Sequence, residues 1–94
     1  MRLLVIENFK DGNPVPIYNR ARRRGRMLPE TVTFLDSWVD TDLSRCFQLM
    51  ECETQSCLDP WFEAWSDLVS FEVIEVLSTE QVVSRLAGQL DPEP

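Results

Sequence analysis

Ninety-four residues carrying a net charge of −7 make one domain and exclude two broad classes of function. Sequence-independent nucleic-acid binding rests on neutralising phosphates, which so acidic a chain does poorly. The aliphatic run near the start, Leu3–Ile6, is cut short by Glu7 and cannot serve as a signal-peptide core or a membrane span. A domain of this size buries only about 60–65% of the surface its unfolded chain exposes. Trp38, Trp61, Trp65 and five phenylalanines must supply much of that burial. The charge is unevenly spread, with seven basic residues against three acidic up to Thr31 and two against thirteen after it. Three cysteines in no metal-ligand spacing and no histidine argue against zinc or another metal and for reduced thiols in the cytoplasm.

In chain order, Arg2–Phe9 is predicted to be a strand. Its continuous aliphatic run suggests a central position buried on both faces, with Glu7 on the same side as Leu3, Val5 and Phe9. Lys10–Asn13 is a turn. Asn13-Pro14 has the form of a helix start, an N-cap followed by a proline that needs no amide donor. The helix is expected to reach about Met27, before Pro29, with Ile17, Tyr18, Ala21, Gly25 and Leu28 along its apolar stripe. Gly25 lowers helix propensity by roughly 1 kcal/mol, a loss that close approach to a sheet would offset. The arginines of RARRRGR occupy the other faces and are expected to be solvated, pairing with Glu7, Asp36 or the acidic second half.

Val32–Glu53 follows as a hairpin, two strands around the acidic turn TDLS. If Val39 pairs with Arg45, Trp38 comes near Cys46 and Asp36 near Gln48; a slip of one residue inverts that grouping. Asp59-Pro60 opens a second helix whose stripe is Leu58, Trp61, Phe62, Trp65 and Leu68. Ser70–Leu77 alternates as a last strand. Ser78 and Gln81 form a capping-box pattern ahead of a third helix bearing Val82, Val83, Leu86 and Leu90.

The order β-α-β-β-α-β-α predicts an α+β, ferredoxin-like domain over residues 1–90, with an antiparallel sheet, an extra C-terminal helix and a disordered tail over residues 91–94. Both sheet-packing helices fall on one face. The other face is left for a second copy of the chain, so a homodimer is expected.

The strings VIENFKDG, LDSWVD, RCFQLMEC and W-x3-WSDLVSFEV resemble a family of short bacterial proteins grouped as a domain of unknown function. The resemblance implies a dimeric α+β barrel, a group that also contains cofactor-free quinone-forming monooxygenases and haem-binding enzymes. Those enzymes often use histidine, absent here, and the resemblance transfers no catalytic residue.

The candidate site is a small cavity walled by Trp38 and Met50, with Asp36 and Gln48 as orienting polar groups and Tyr18 capping it. The expected function is a homodimeric α+β barrel binding a small organic ligand without a cofactor. One rival is a cofactor-independent monooxygenase or isomerase acting on an aromatic or quinol-like substrate, with Trp38 stacking and Asp36, Glu7 or Tyr18 moving protons. Another is a purely structural interaction module with a filled interior.

Overall fold

Leu3, Val5, Glu7 and Phe9 are buried along strand β1 (Arg2–Phe9), while Arg2, Leu4, Ile6 and Asn8 are half-buried. The computed structural model, which describes residues 1–92, places β1 at the centre of a four-stranded sheet of order β2-β3-β1-β4. The other strands are β2 (Thr33–Val39), β3 (Arg45–Glu51) and β4 (Val69–Val76). Every neighbouring pair is antiparallel. Two helices, α1 (Val15–Arg24) and α2 (Asp59–Trp65), follow β1 and β3 to give the ferredoxin-like order, and α3 (Thr79–Leu86) follows β4.

The sheet is open. Strand β2 pairs only with β3, and β4 only with β1, so two edges stay free among the described residues. The α+β barrel expected from sequence is therefore corrected: four strands with two free edges do not close, and enclosing a lumen takes about eight. The homodimeric barrel goes with it, as does the oxygenase or isomerase chemistry assigned to its interior. The tail expected over residues 91–94 falls, from Glu93 onward, outside the described residues.

The core lies on the helix-covered face. Trp61, Leu3, Met50, Leu58, Val5 and Val69 are its largest fully buried side chains. The aromatic spacing of α2 explains why so short a helix suffices. Trp61 and Trp65 both point at the sheet, and Trp61 packs against Phe62 and Phe71 with ring centroids 5.7 and 5.1 Å away.

Three local devices set the geometry of the site. First, α1 ends at Gly25, whose φ of 68° lies in the left-handed region, so the helix stops short of the expected Met27. A Cβ on Gly25 would meet nothing within 4 Å, so this glycine serves the turn and not a close approach to the sheet. Second, Asp40 organises the hairpin loop, accepting from the backbone amides of Ser44 and Arg45, each at 2.9 Å, while Leu43 takes a φ of 60°. The six residues Asp40–Arg45 thereby separate the paired ends, setting Val39 opposite Cys46, one residue away from the pairing with Arg45. Third, a bulge at Leu35 separates Phe34, opposite Met50, from Asp36, opposite Leu49.

Helix α3 has a complete capping box, with Gln81 N donating to Ser78 Oγ at 3.1 Å and Ser78 N donating to Gln81 Oε1 at 2.8 Å. It buries no residue. The radius of gyration is 16.3 Å, against about 12 Å for a compact chain of this length.

Trp61 should be the costliest core side chain to truncate. Trp61→Ala is expected to lower the unfolding free energy by about 3–5 kcal/mol, read as a shift in the urea midpoint with the slope unchanged.

Candidate functional site

A carboxylate stands where the alternation of β1 calls for an apolar residue. Glu7 is 5% exposed, on the face shared with Leu3, Val5 and Phe9. An acid so placed needs partners, because an unpaired buried charge is very costly. Strand β3 supplies them. Cys46 is directly opposite Glu7 in the register, and Gln48, two residues on, shares the same face. Gln48 Nε2 donates to Glu7 Oε2 at 2.9 Å, and the Cys46 thiol sits against the same carboxyl.

Arg26 extends this row outward. Its Nε donates to Gln48 Oε1 at 3.3 Å and its Nη2 to Ser37 Oγ at 3.2 Å. Its Cζ lies 3.8 Å from the centroid of the Phe34 ring. A guanidinium, an amide and a carboxyl are thus linked in one direction, from the protein surface to the interior.

The chain reaches this arrangement because it turns sharply after α1. Gly25 and Met27, on either side of Arg26, both adopt positive φ, 68° and 59°. For Met27 that conformation carries a steric cost. The loop is held by Trp65, whose indole Nε1 donates to the Arg26 carbonyl at 2.9 Å.

Beneath the loop lies a cavity of about 230 Å³. One end is polar, formed by Glu7, Gln48, Arg26, Ser37 and Cys46. The remainder is apolar, with Phe9 and Val39 from the sheet, Ile17 and Ala21 from α1, and Trp61 and Trp65 from α2. Tyr18 stands half-exposed at the rim. α1 and α2 thus leave an open-sided hollow between themselves and the sheet.

Burial raises the pKa of Glu7, and the hydrogen bond from Gln48 and the charge of Arg26 only partly oppose it. Burial, reinforced by the nearby Glu7 carboxylate, pushes the Cys46 thiol up to about 12. Cys46 is thus a thiol, not a thiolate, at neutral pH, and a poor nucleophile. Tyr18 is also raised, by burial and then by its acidic neighbours Cys46 and Glu7, so its phenol stays a hydrogen-bond donor. The site can orient a ligand and exchange a proton at Glu7. Among the described residues, no three His, Cys, Asp or Glu side chains come together to hold a metal ion.

The five residues proposed from sequence separate into three places. Tyr18 and Gln48 line the cavity. Met50 shares the Gln48 face but is fully buried in the core and does not reach the cavity. Asp36 and Trp38 lie on the opposite face of the sheet, where Trp38 is 52% exposed and opposite Phe47. The hairpin register accounts for that division, since Ser37 and Val39 take the places on the covered face.

The arginine run also divides. Arg20 forms a bidentate pair with Asp67, at 2.7 and 2.6 Å, as expected for a basic helix face meeting the acidic half of the chain. Arg22, Arg23 and Arg24 are exposed. Arg26 alone among these arginines lines the cavity. Sequence reasoning placed Arg26 on the solvated helix. The signal against that lay next to it, in Gly25, which ends the helix and turns the next side chain back over the sheet.

Residues 1–90 match the model of a domain of unknown function, DUF3303, and the chain belongs to that family. No curated protein and no solved structure matches it. The open sheet corrects the assignment to the dimeric α+β barrel group.

Glu7 makes stability depend on pH in a direction opposite to that of a salt-bridged acid. The folded state holds the Glu7 proton more tightly than the unfolded chain, whose carboxyl has the ordinary value of 4.5. The contribution of Glu7 to stability is therefore complete below that value and is lost as pH rises through the raised folded pKa. Glu7→Gln, whose amide oxygen still accepts from Gln48, should melt at a higher temperature than the native chain at pH 7–8. The difference should shrink toward pH 4 in a series of thermal melts.

Proposed function

We propose that residues 1–90 form a single small-molecule-binding domain whose ligand enters between α1 and the covered face of the sheet. The observation that carries this reading is the cavity itself: an apolar chamber with hydrogen-bonding groups gathered at one end. Buried polar side chains in a small core usually satisfy one another and leave no space. Here Glu7, Gln48 and Arg26 are linked to one another and still border a void. Tyr18 and Gln48 are assigned to ligand contact, Tyr18 at the rim and Gln48 at the polar end. Asp36 and Trp38 are left to the open face of the sheet, and Met50 to the core.

Among the described residues, no helix is long and apolar enough to cross a membrane. Cys46, Cys52 and Cys57 are all free, which supports a reducing compartment, the cytoplasm, as the place of action.

Blocking the chamber tests the proposal. A panel of small organic molecules should raise the melting temperature of the native chain. A ligand at a hundred times its Kd adds about 2.7 kcal/mol. Ala21→Phe, which places a ring in the void from α1, should abolish those shifts while the variant still melts cooperatively. Shifts of equal size in Ala21→Phe would move ligand binding away from this cavity.

A second reading concerns self-association, and the bare stripe of α3 favours it. Val82, Val83 and Leu86 are exposed on that helix and Leu90, expected on the same stripe, is exposed beyond its end; Trp38 and Ile74 are exposed on the uncovered face of the sheet. Two apolar surfaces that one chain keeps apart are both covered when α3 of each copy lies on the sheet of the other, in an isologous pair. Light scattering should give twice the 10.9 kDa chain mass. The double variant Val83→Glu and Leu86→Glu should reduce it to one chain without loss of sheet signal. A native chain that scatters as a monomer at micromolar concentration removes this reading.

A further inference from the structure

We infer that the ligand of this cavity is a small carboxylic acid with an apolar body, taken up as its anion with Arg26 as the anchor; this rests on the cavity being a binding site. Among the described residues Arg26 is the only cation that lines the cavity. Among the described residues it makes no salt bridge, although the chain carries sixteen acidic side chains. Its Nε and Nη2 donate to neutral oxygens, those of Gln48 and Ser37. Among the described residues Nη1 has no partner at all. A guanidinium held by neutral groups keeps its charge available for a ligand.

It is also held still. The Phe34 ring lies under its plane, Trp65 fixes its backbone carbonyl, and left-handed residues on both sides set the direction of its side chain. A surface arginine with no task does not need a strained neighbour such as Met27. Such preorganisation lowers the ordering cost that binding would otherwise carry. The Tyr18 phenol and the apolar side chains of Ile17, Trp61 and Trp65 line the same cavity as Arg26.

The rest of the site agrees with an anion and disfavours a cation. The one acid facing the cavity is Glu7, which lies at the buried end and already accepts from Gln48. The groups facing Glu7 are Cys46 and Gln48 on β3, Arg26 on the loop after α1, and Tyr18 on α1; α2 contributes only indoles. While Glu7 is protonated, the chamber holds one positive charge and no negative one. When Glu7 ionises, the local charge is cancelled and an anion is held less well. Anion uptake should therefore weaken as pH rises through the raised pKa of Glu7.

The test uses calorimetric titration of the full chain with three probes of one shape: benzoate, benzyl alcohol and benzylamine. Benzoate should bind most tightly at pH 6 and benzylamine least. Arg26→Gln should weaken benzoate by roughly tenfold to a hundredfold, the value of one charge-assisted hydrogen-bonded contact, and leave benzyl alcohol little changed. Arg26→Lys, which keeps the charge but not the fork, should fall between them, and it serves if the glutamine variant melts early. Glu7→Gln should bind benzoate with an affinity that no longer falls with pH. Benzylamine or benzyl alcohol binding as tightly as benzoate, or benzoate unaffected by Arg26→Gln, would overturn the carboxylate assignment. No heat from any of the three, together with thermal shifts that survive Ala21→Phe, would overturn the cavity reading and this inference with it.

Discussion

The desolvation of one carboxyl group governs the middle of this molecule. Glu7 occupies a position that the alternation of β1 assigns to the core, between Val5 and Phe9. The surrounding residues follow from accommodating it. Gln48 is buried because its amide donates to the acid, and its other end then has to be satisfied by a donor, which Arg26 provides. Arg26 reaches that point only because α1 ends early and its loop is tied to Trp65. The cost of a buried acid is thus spread over three elements and becomes a directed array beside open space.

The elements themselves were legible in the sequence, because their signals are local. The prolines near the two helix starts, the one-sided stripe of Trp61 and Trp65, and the Ser78–Gln81 capping box each act within one or two turns of chain; Asn13 accepts from the Val15 amide, whereas α2 starts at Asp59 itself, after Leu58, with no side-chain cap. The layout of the sheet followed from their order. What did not follow was the side on which each residue of β2 lies. That depends on whether five residues or six separate the paired ends of the hairpin, and the difference is made by the side chain of Asp40 capturing two backbone amides. One residue of register exchanges Asp36 and Trp38 for Ser37 and Val39 on the covered face. The bulge at Leu35 then reverses the alternation again, so that Phe34 returns to the covered face beneath Arg26. No pattern of hydrophobicity in a seven-residue strand specifies both events.

The barrel failed for a different reason. It was inferred from the company that the family was placed in, and the fold class alone does not determine how a sheet edge is used. Strands β2 and β4 end the sheet on both sides. Edge protection is modest: β4 carries outward acids at Glu72 and Glu75, and β2 is interrupted by its bulge. Both devices discourage edge-to-edge pairing. They leave the face of the sheet, not its edges, as the surface available for contact.

That distinction bears on the two sides of the sheet. The covered face holds the buried acid, the inert thiol and the cavity, so its chemistry is completed within one chain. The uncovered face holds Trp38 and Ile74 and is completed, if at all, by α3 or by another molecule. The two faces meet along β1, whose residues alternate between them, and a substitution on one side need not disturb the other. Independence of this kind allows ligand uptake and self-association to be altered separately. Were they coupled, the shortest route would be the backbone of β2, where Ser37 and Val39 line the cavity and Trp38 between them faces the other way.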